Sequence, residues 1–174
     1  MKRLIFSVSI ILFSFVSQAQ LIMIDSETGD YRYEDVVAVE GISKNQIKER
    51  ASKWLNSYYK SADSISIDSS SLHQKSSYQF SWKFIKKNIP LELFFDITIK
   101  TKDNRYKYDF SNFQVGKKVN GNIDSSDLKA YIERFPVKYQ IYIEEPINTE
   151  ITKAINSLAY FISNGKLKID EDDW

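Results

Sequence analysis

A helical pattern of apolar residues begins near position 43 of the chain. Ser43 is a good N-terminal cap, and Gln46 stands three residues later, as in a capping box. Apolar side chains then recur at the spacing of one helix face. They are Ile47, Ala51, Trp54, Leu55, Tyr58 and Tyr59. This pattern predicts an amphipathic helix that begins after Ser43.

A second helical pattern lies toward the C-terminus. Pro146 suits the first turn of a helix, and Gly165 suits the position after the last turn. The apolar stripe between them consists of Ile147, Ile151, Ile155, Leu158, Phe161 and Ile162. We therefore predict a second amphipathic helix from Pro146 to Gly165. A short helix capped by Ser126 is predicted in Ser126–Phe135.

Alternating apolar and polar residues, the period of a half-buried strand, recur through much of the remaining chain. The segment before the first helix is rich in aromatic and β-branched residues, which favours a strand. The clearest alternation runs from Leu91 to Ile99. The predicted strands are Asp30–Val39, Ser64–Asp68, Tyr78–Phe84, Leu91–Lys100 and Tyr106–Phe110, with a further one at Val137–Glu145.

Polar segments between these strands are predicted to be loops and turns. Lys102–Arg105 has the Asp-Asn composition of a tight hairpin turn. The other predicted loops and turns are Ser69–Ser77, Asn88–Pro90 and residues 114–127. Since short connections favour antiparallel pairing, the strands form a mainly antiparallel sheet. The order strand, helix, four strands, helix predicts an α+β fold, a two-layer sandwich with both amphipathic helices on one face.

The N-terminal residues have the features of a secretory signal peptide. A basic start precedes the apolar run Leu4–Val16, and Ser17 and Ala19 form a small-x-small cleavage site. We expect residues 1–19 to be removed before Gln20, leaving one domain, residues 20–174, in the periplasm or outside the cell. The apolar run is shorter than the about 20 residues of a membrane-spanning helix, and an uncleaved anchor is the alternative.

Composition excludes several classes of protein. The chain has no cysteine, which excludes disulfides, thiolate metal sites and a lipid-modified N-terminal cysteine. If residues 1–19 are removed, 22 of the 24 basic residues remain beside 23 acidic ones, and the net charge changes from +1 to −1. Nucleic-acid-binding proteins usually carry a clear basic excess. We therefore predict no nucleic-acid partner and no membrane span after cleavage.

His73 is the one histidine of the chain and lies in a predicted loop. As a general base it would need a serine nucleophile and an orienting carboxylate, for which Asp68 is nearest. The candidate serines are Ser69, Ser70, Ser71, Ser76 and Ser77. A Gly-x-Ser-x-Gly motif is missing from the sequence, so we interpret His73 as an ordinary surface residue and predict no catalytic residue.

Metal and cofactor motifs are equally sparse. One imidazole and no thiolate disfavour zinc. The acidic segments Asp25–Asp30 and Asp170–Trp174 lack the spacing of an EF-hand loop, and the second is predicted to be a solvated tail. The carboxylate pairs to consider for sugar hydrolysis are Glu144 with Glu145 and Glu92 with Asp96. We predict no cofactor and no metal.

The sheet face turned away from the helices is the predicted binding surface. Most of its side chains are polar, and Phe94 is the aromatic exception. The predicted open-face residues are Gln79, Ser81, Lys83, Glu92, Phe94, Asp96, Thr98 and Lys100. Lys107 and Asp109 lie on the same face, and Tyr142 joins it if Val137–Ile143 is a strand.

The chain resembles a family of secreted bacterial domains of unknown function with a TBP-like fold. The resemblance rests on the signal peptide ending at Ala19-Gln20 and on "TGDYRYEDVVAVEGISKNQIKERASKWL", residues 28–55. The hairpin "TKDNRYKYDF", residues 101–110, and the late amphipathic helix complete it, so that it covers Thr28–Gly165. The resemblance implies the fold and export, but no activity, cofactor or DNA binding.

Two functional hypotheses follow. The first is a non-catalytic binding or interaction module of the bacterial envelope, which uses the open sheet face or a sheet edge to bind an unidentified envelope or extracellular partner. The alternative is a hydrolase of unfamiliar type that acts on an envelope or extracellular polymer. Two convergent carboxylates with shifted pKa values in a cleft would favour the hydrolase.

Overall fold

The computed structural model describes residues 23–25, 28–59, 65–84, 87–119 and 122–165. The predicted signal peptide and acidic tail lie outside these residues. The strands among the described residues are β1 Met23–Ile24, β2 Tyr31–Ala38, β3 Ser66–Ile67, β4 Ser71–Phe84, β5 Lys87–Lys102, β6 Arg105–Val119 and β7 Asn122–Asp127. The helices are α1 Lys44–Tyr58, α2 Leu128–Ile132 and α3 Val137–Asn164.

The described strands form one antiparallel sheet in the order β1-β2-β6-β5-β4-β3, and β7 pairs with the second half of β6. The hairpin of β4 and β5 pairs without interruption from Ser71 with Lys100 to Phe84 with Lys87. Alternate residues of β5 from Leu91 to Ile99 are buried, and they meet the buried stripes of α1 and α3. The predicted α+β two-layer sandwich with a mainly antiparallel sheet is confirmed.

The capping box predicted at the start of α1 is present. The Ser43 side chain accepts a hydrogen bond from the Gln46 backbone N–H at 3.4 Å, and the Gln46 side chain accepts one from the Ser43 backbone N–H at 3.1 Å. The stripe behind it buries Trp54 and Leu55 completely. Trp54 Nε1 also donates to Ser157 Oγ at 3.1 Å, which joins α1 to α3.

The tight turn between β5 and β6 is also confirmed, and it holds the start of α1. Asn104 adopts a φ of 61°, which asparagine tolerates better than most residues. Asp103 Oδ1 accepts a hydrogen bond from the Lys44 backbone N–H at 2.7 Å. Asn104 Oδ1 accepts one from the Gly41 backbone N–H at 2.9 Å. The turn therefore supplies an acceptor to a helix N-terminus that lacks an intrahelical one.

The strand predicted at Val137–Glu145 is wrong, because these residues form the first turns of α3. Pro146 lies inside that helix and does not begin it, whereas Gly165 ends it with a φ of 73°, as predicted. Ile143 and Ile147, four residues apart, extend the buried stripe of α3 backward. The apparent alternation arose because other apolar side chains of this segment face solvent. Tyr142 therefore lies on a helix, not on the open sheet face.

Three predicted loops are in fact strands. Ser69–Ser77 was expected to be a loop, but β4 begins at Ser71 and buries the polar side chains of Gln74 and Ser76. Asn88–Pro90 lies within β5. In residues 114–127, β6 continues to Val119 and β7 follows. Each segment has too few apolar residues to show the strand period.

Two smaller predictions also need correction. The strand expected at Ser64–Asp68 is restricted to Ser66–Ile67 among the described residues. The short helix α2 is present, but its cap is Asp127, whose Oδ1 accepts a hydrogen bond from the Ala130 backbone N–H at 2.9 Å. Asp127 takes this role in place of Ser126 because its carboxylate is one residue closer to the free N–H groups of the first turn.

Candidate binding surfaces on the sheet and α3

The predicted open-face residues lie on the expected side of the sheet. On β5, Glu92, Phe94, Asp96 and Thr98 are partly exposed while the residues between them are buried. Gln79, Ser81 and Lys100 are exposed, and the side chain of Lys83 lies outside the described part of the chain. This is their position in the fold. Their role in binding stays a prediction.

Charged groups at one end of the open face bind one another. Arg32 Nη2 lies 2.6 Å from Asp109 Oδ2, and this carboxylate is the main cause of the raised pKa of Arg32. Arg32 also lies 3.2 Å from Glu34, and Lys107 Nζ lies 2.8 Å from the same carboxylate. Such exposed ion pairs contribute about 0–1 kcal/mol each. They form a hydrated surface with few unsatisfied charges.

The middle of the open face is similarly self-paired. Asn112 Nδ2 donates to Asp96 Oδ2 at 2.6 Å, and the Ser77 hydroxyl donates to Glu92 Oε1 at 2.7 Å. Glu92 and Asp96, the second predicted carboxylate pair, therefore bind different neighbours. A ligand on this part of the sheet would have to displace these hydrogen bonds before making its own.

The residues around His73 do not form a catalytic triad. His73 Nδ1 lies 2.9 Å from Thr98 Oγ1, and its Nε2 lies 3.2 Å from Ser71 Oγ. The Ser71 hydroxyl donates to Asp68, and the backbone N–H groups of Ser70 and Ser71 donate to the same carboxylate. These hydrogen bonds lower the pKa of Asp68 to about 2. Asp68 thus holds the turn from β3 to β4 and does not orient the imidazole.

The other predicted acidic sites are not assembled either. Among the described residues, no group of three or more histidine or acidic side chains is placed to hold a metal ion. Within Asp25–Asp30, Asp25 accepts a hydrogen bond from the Thr28 backbone N–H at 3.1 Å, in a local turn. Glu144 accepts one from the Tyr31 hydroxyl at 2.7 Å, whereas Glu145 is exposed. The pair Glu144–Glu145 therefore diverges.

The structure also contains a groove between β4 and α3 that was not predicted from the sequence. It consists of two neighbouring depressions of about 650 and 470 Å³ that share Tyr78, Ser81 and Pro146. We call them together the β4–α3 groove. The first is also lined by Gln79, Phe80, Pro90, Leu91, Glu92 and Gly116, and the second by Tyr142, Glu145, Thr149, Glu150 and Lys153.

The first turns of α3 also carry exposed apolar side chains. Val137 is 81% exposed, and Ile141 and Tyr142 are each 52% exposed. Val137 and Ile141, four residues apart, lie on the same flank of the helix as Glu144, which binds Tyr31. Tyr142 lies about 100° further around the helix and lines the groove. The sequence signal for these exposed residues was the alternation in Val137–Ile143, which was interpreted as a strand.

Glu150 gives the groove a partly buried carboxylate. Burial is the main cause of its raised pKa, and Lys153 acts in the opposite direction. Burial also raises the pKa values of Tyr58, Tyr59 and Tyr78, and the Glu150 carboxylate adds to each shift. The carboxylate therefore lies within electrostatic range of three tyrosine hydroxyls, and one of these residues, Tyr78, lines the same depression.

The β4 strand passes the groove as a sheet edge. β3 pairs only with Leu72 and His73, and no other described strand lies outside β4. The Ser71 carbonyl accepts from Asp68 on the outer side, whereas the Ser70 carbonyl accepts from Thr101 on the β5 side. Backbone groups alternate in direction along an antiparallel strand. Gln79 and Ser81 therefore direct their N–H and C=O groups to the outer edge, beside the groove.

Comparisons with known proteins agree with this architecture. Residues 33–116 match the family described as "Domain of unknown function (DUF4468) with TBP-like fold". A comparison with curated proteins gives no match. In the part of the chain that the structure describes, no helix is both long and apolar enough to cross a membrane.

Two solved structures are similar to this chain. The crystal structure of a TBP-like protein from Parabacteroides distasonis has a TM-score of 0.62 and 12% identity, over 81% of this chain and 97% of that chain. A DUF4468 family protein from Bacteroides ovatus has the same TM-score and 9% identity, over 84% of this chain and 93% of that chain. At these identities the similarity concerns the fold, and the TBP-like fold predicted from the sequence is confirmed.

Proposed function

We propose that this protein, whose residues 33–116 match the DUF4468 family with a TBP-like fold, is an exported, non-catalytic binding module of the bacterial envelope. Its binding surface is the β4–α3 groove, with Tyr142 at its rim. The observation that carries the proposal is the 52% exposure of Tyr142 at a groove that the partly exposed Tyr78 and Pro146 also line. Apolar side chains that cluster in a groove mark interaction sites.

The groove is a better candidate than the whole open face. On the open face, Arg32, Asp96 and Glu92 already have protein partners, and a ligand would compete with them. Burying the exposed part of the Tyr142 ring would instead gain about 25 cal/mol for each Å² of apolar surface removed from water. Gln79, Ser81 and Glu92, three of the residues predicted for the open face, also line the groove. The two surfaces therefore meet at β4.

Export rests on the sequence of residues 1–19. A basic start, an apolar run and the Ser17-x-Ala19 site are typical of a cleaved secretory signal. The chain has no cysteine for lipid attachment, so the mature form would be free in the periplasm or outside the cell. The partner is accordingly an envelope or extracellular molecule, and a mature net charge of −1 argues against nucleic acid.

Site-specific photo-crosslinking tests this proposal. The full chain, with its native signal segment, would be expressed in a Bacteroides host with a photoreactive phenylalanine derivative at Tyr142. The matched positions are Lys100, exposed on the open face, and Glu49, exposed on the solvent side of α1. After irradiation of living cells, the periplasmic, membrane and cytoplasmic fractions would be compared with the culture medium.

We expect an adduct from position 142, found outside the cytoplasm, and none from position 49. An adduct from position 100 alone would move the binding surface to the open sheet face and overturn the assignment to the groove. Full-length uncleaved protein in the cytoplasm would overturn export. Equal adducts from all three positions would show non-specific contact and overturn the binding module.

A further inference from the structure

We propose, on the basis of the proposed function, that the β4–α3 groove binds an extended polypeptide segment that contains a lysine or arginine. The segment adds a strand to the outer edge of β4 at Gln79 and Ser81. Its basic side chain lies against Glu150 and the ring of Tyr78. Four features of the groove lead to this occupant.

The first feature is the free edge of β4. Gln79 and Ser81 direct backbone N–H and C=O groups outward, and no described strand pairs with them. Natural proteins usually protect such an edge, because it pairs readily with another chain. An added strand would satisfy these groups through main-chain hydrogen bonds, which is how β-augmentation gains affinity without requiring one sequence.

The second feature is the position of α3 beside this edge. A strand added to β4 would turn every second side chain toward the helix layer. There it meets Tyr78 and Phe80 from β4, and Tyr142 and Pro146 from α3, all of which line the groove. Side chains between an edge strand and a helix are enclosed on two sides. The groove thus offers pockets for alternate side chains of an extended peptide, as in other strand-addition sites.

The third feature is charge. The described side chains that line the groove include three carboxylates, Glu92, Glu145 and Glu150, and one ammonium group, Lys153. Glu92 accepts a hydrogen bond from Ser77, but Glu150 is partly buried and lines the same depression as Tyr78. A partly buried carboxylate near a tyrosine ring favours a cation, which interacts with the charge and with the ring face. This charge balance selects a basic side chain over an acidic one.

The fourth feature is an acceptor created by Pro146. Proline has no backbone N–H, so Pro146 cannot donate the usual helix hydrogen bond to the carbonyl of Tyr142. Tyr142 and Pro146 both line the groove. The helix therefore presents a carbonyl oxygen near the groove that Pro146 leaves available to a donor. Lysine and arginine side chains carry several donors and no acceptor, which suits this arrangement.

A peptide-binding measurement tests the proposal with three defined probes. Each is a short fluorescent peptide of alternating threonine and valine with lysine, norleucine or glutamate at its centre. Fluorescence anisotropy would be measured with the purified exported protein. We expect the lysine peptide to bind roughly tenfold or more tightly than the norleucine peptide, and the glutamate peptide to bind most weakly. Similar affinity for all three would overturn the charge preference.

Two variants separate the carboxylate from the strand edge. Glu150→Gln should remove most of the preference for lysine, whereas Glu145→Gln, at an exposed position of the same groove, should retain it. Gln79→Pro should abolish binding of every peptide, because it removes an outward N–H that an edge strand does not need for folding. Gln79→Ala keeps that N–H and should still bind. Urea unfolding of each variant verifies that it is folded.

The outcomes distinguish this inference from the proposed function. A crosslinked partner at Tyr142 together with no binding of any peptide would overturn the peptide occupant and leave the binding module standing. Peptide binding that is unchanged in Gln79→Pro would overturn strand addition. Dimers in analytical ultracentrifugation that are lost in Gln79→Pro would show that a second copy of the chain occupies the edge, and would overturn the basic peptide as the occupant.

Discussion

The two halves of α3 belong to one continuous helix but use their apolar residues differently. From Ile147 onward, the apolar side chains are buried against the sheet and α1, as the stripe through Ile151 and Leu158 shows. Before Pro146, Ile143 is buried, while Val137, Ile141 and Tyr142 face solvent. The second half was predicted correctly from its period, and the first half was predicted as a strand. An apolar residue that the core does not use distorts the helical period.

The difference between the two halves of α3 also indicates where the proposed binding surface lies. Local sequence patterns and global structure usually agree in proteins, and disagreements tend to fall at functional sites. In this chain the disagreement covers Val137–Glu145, and Tyr142 and Glu145 of that segment line the groove. The wrong strand prediction therefore agrees with the binding surface that we propose there.

The largest expected effect tests the contrast in burial directly. Ile151→Ala should lower the free energy of unfolding by about 2–5 kcal/mol, because it leaves a cavity at a fully buried position. Ile141→Ala makes the same chemical change at an exposed position and should change it by no more than about 0.5 kcal/mol. Urea unfolding of both variants measures this. Equal losses would mean that the first half of α3 is as tightly packed as the second.

A smaller effect is expected at the boundary between the halves. Pro146→Ala should raise the free energy of unfolding by about 1–3 kcal/mol, since proline inside a helix costs about 3 kcal/mol. Pro136→Ala is the matched control. Pro136 precedes the helix with a φ of −53°, which suits proline, so its replacement should instead lower stability by about 0.4–1 kcal/mol. Shifts of the same sign in both variants would contradict this account.

The smallest effect concerns how the first half of α3 is held to the sheet. Tyr31→Phe removes the 2.7 Å hydrogen bond to Glu144 and should lower the free energy of unfolding by about 1 kcal/mol. Amide hydrogen exchange should become faster in residues 137–145 and stay unchanged around Ile151 and Leu158. Tyr160→Phe, on the second half of the same helix, is the control. Uniformly faster exchange along α3 would show that the two halves open together.

The elements predicted correctly are those in which several local signals agree. α1 has both a capping box and an unbroken buried stripe, and the alternation of β5 from Leu91 to Ile99 matches its burial residue by residue. The start of β4 failed because Gln74 and Ser76, only 4% and 5% exposed, place polar side chains at buried positions. β7 failed because it is made largely of Asn, Asp and Ser, which are typical of turns.

The candidate site was less predictable than the fold. The alternation placed Gln79, Ser81 and Glu92 on the correct face of the sheet. The groove, however, needs α3 to pass beside Tyr78, and these segments are far apart in the sequence. Such proximity depends on the packing of the helix layer, which periodicity does not specify. For α3, the sequence showed only that Val137–Ile143 is rich in apolar residues, and this segment was interpreted as a strand.

The turn at Asp103–Asn104 has a consequence for the order in which the protein folds. Its side chains bind the backbone of Lys44 and Gly41, about 60 residues earlier in the chain. A β-hairpin such as that of β5 and β6 closes in about 1–10 μs, whereas contacts between distant segments wait for slower loop closure. We therefore expect the hairpin to form first and to act as the template on which the N-terminus of α1 is completed. The slower closure of the chain between Gly41 and this turn would then limit how fast the N-terminus of α1 forms, although the sequence signals of that helix are all local.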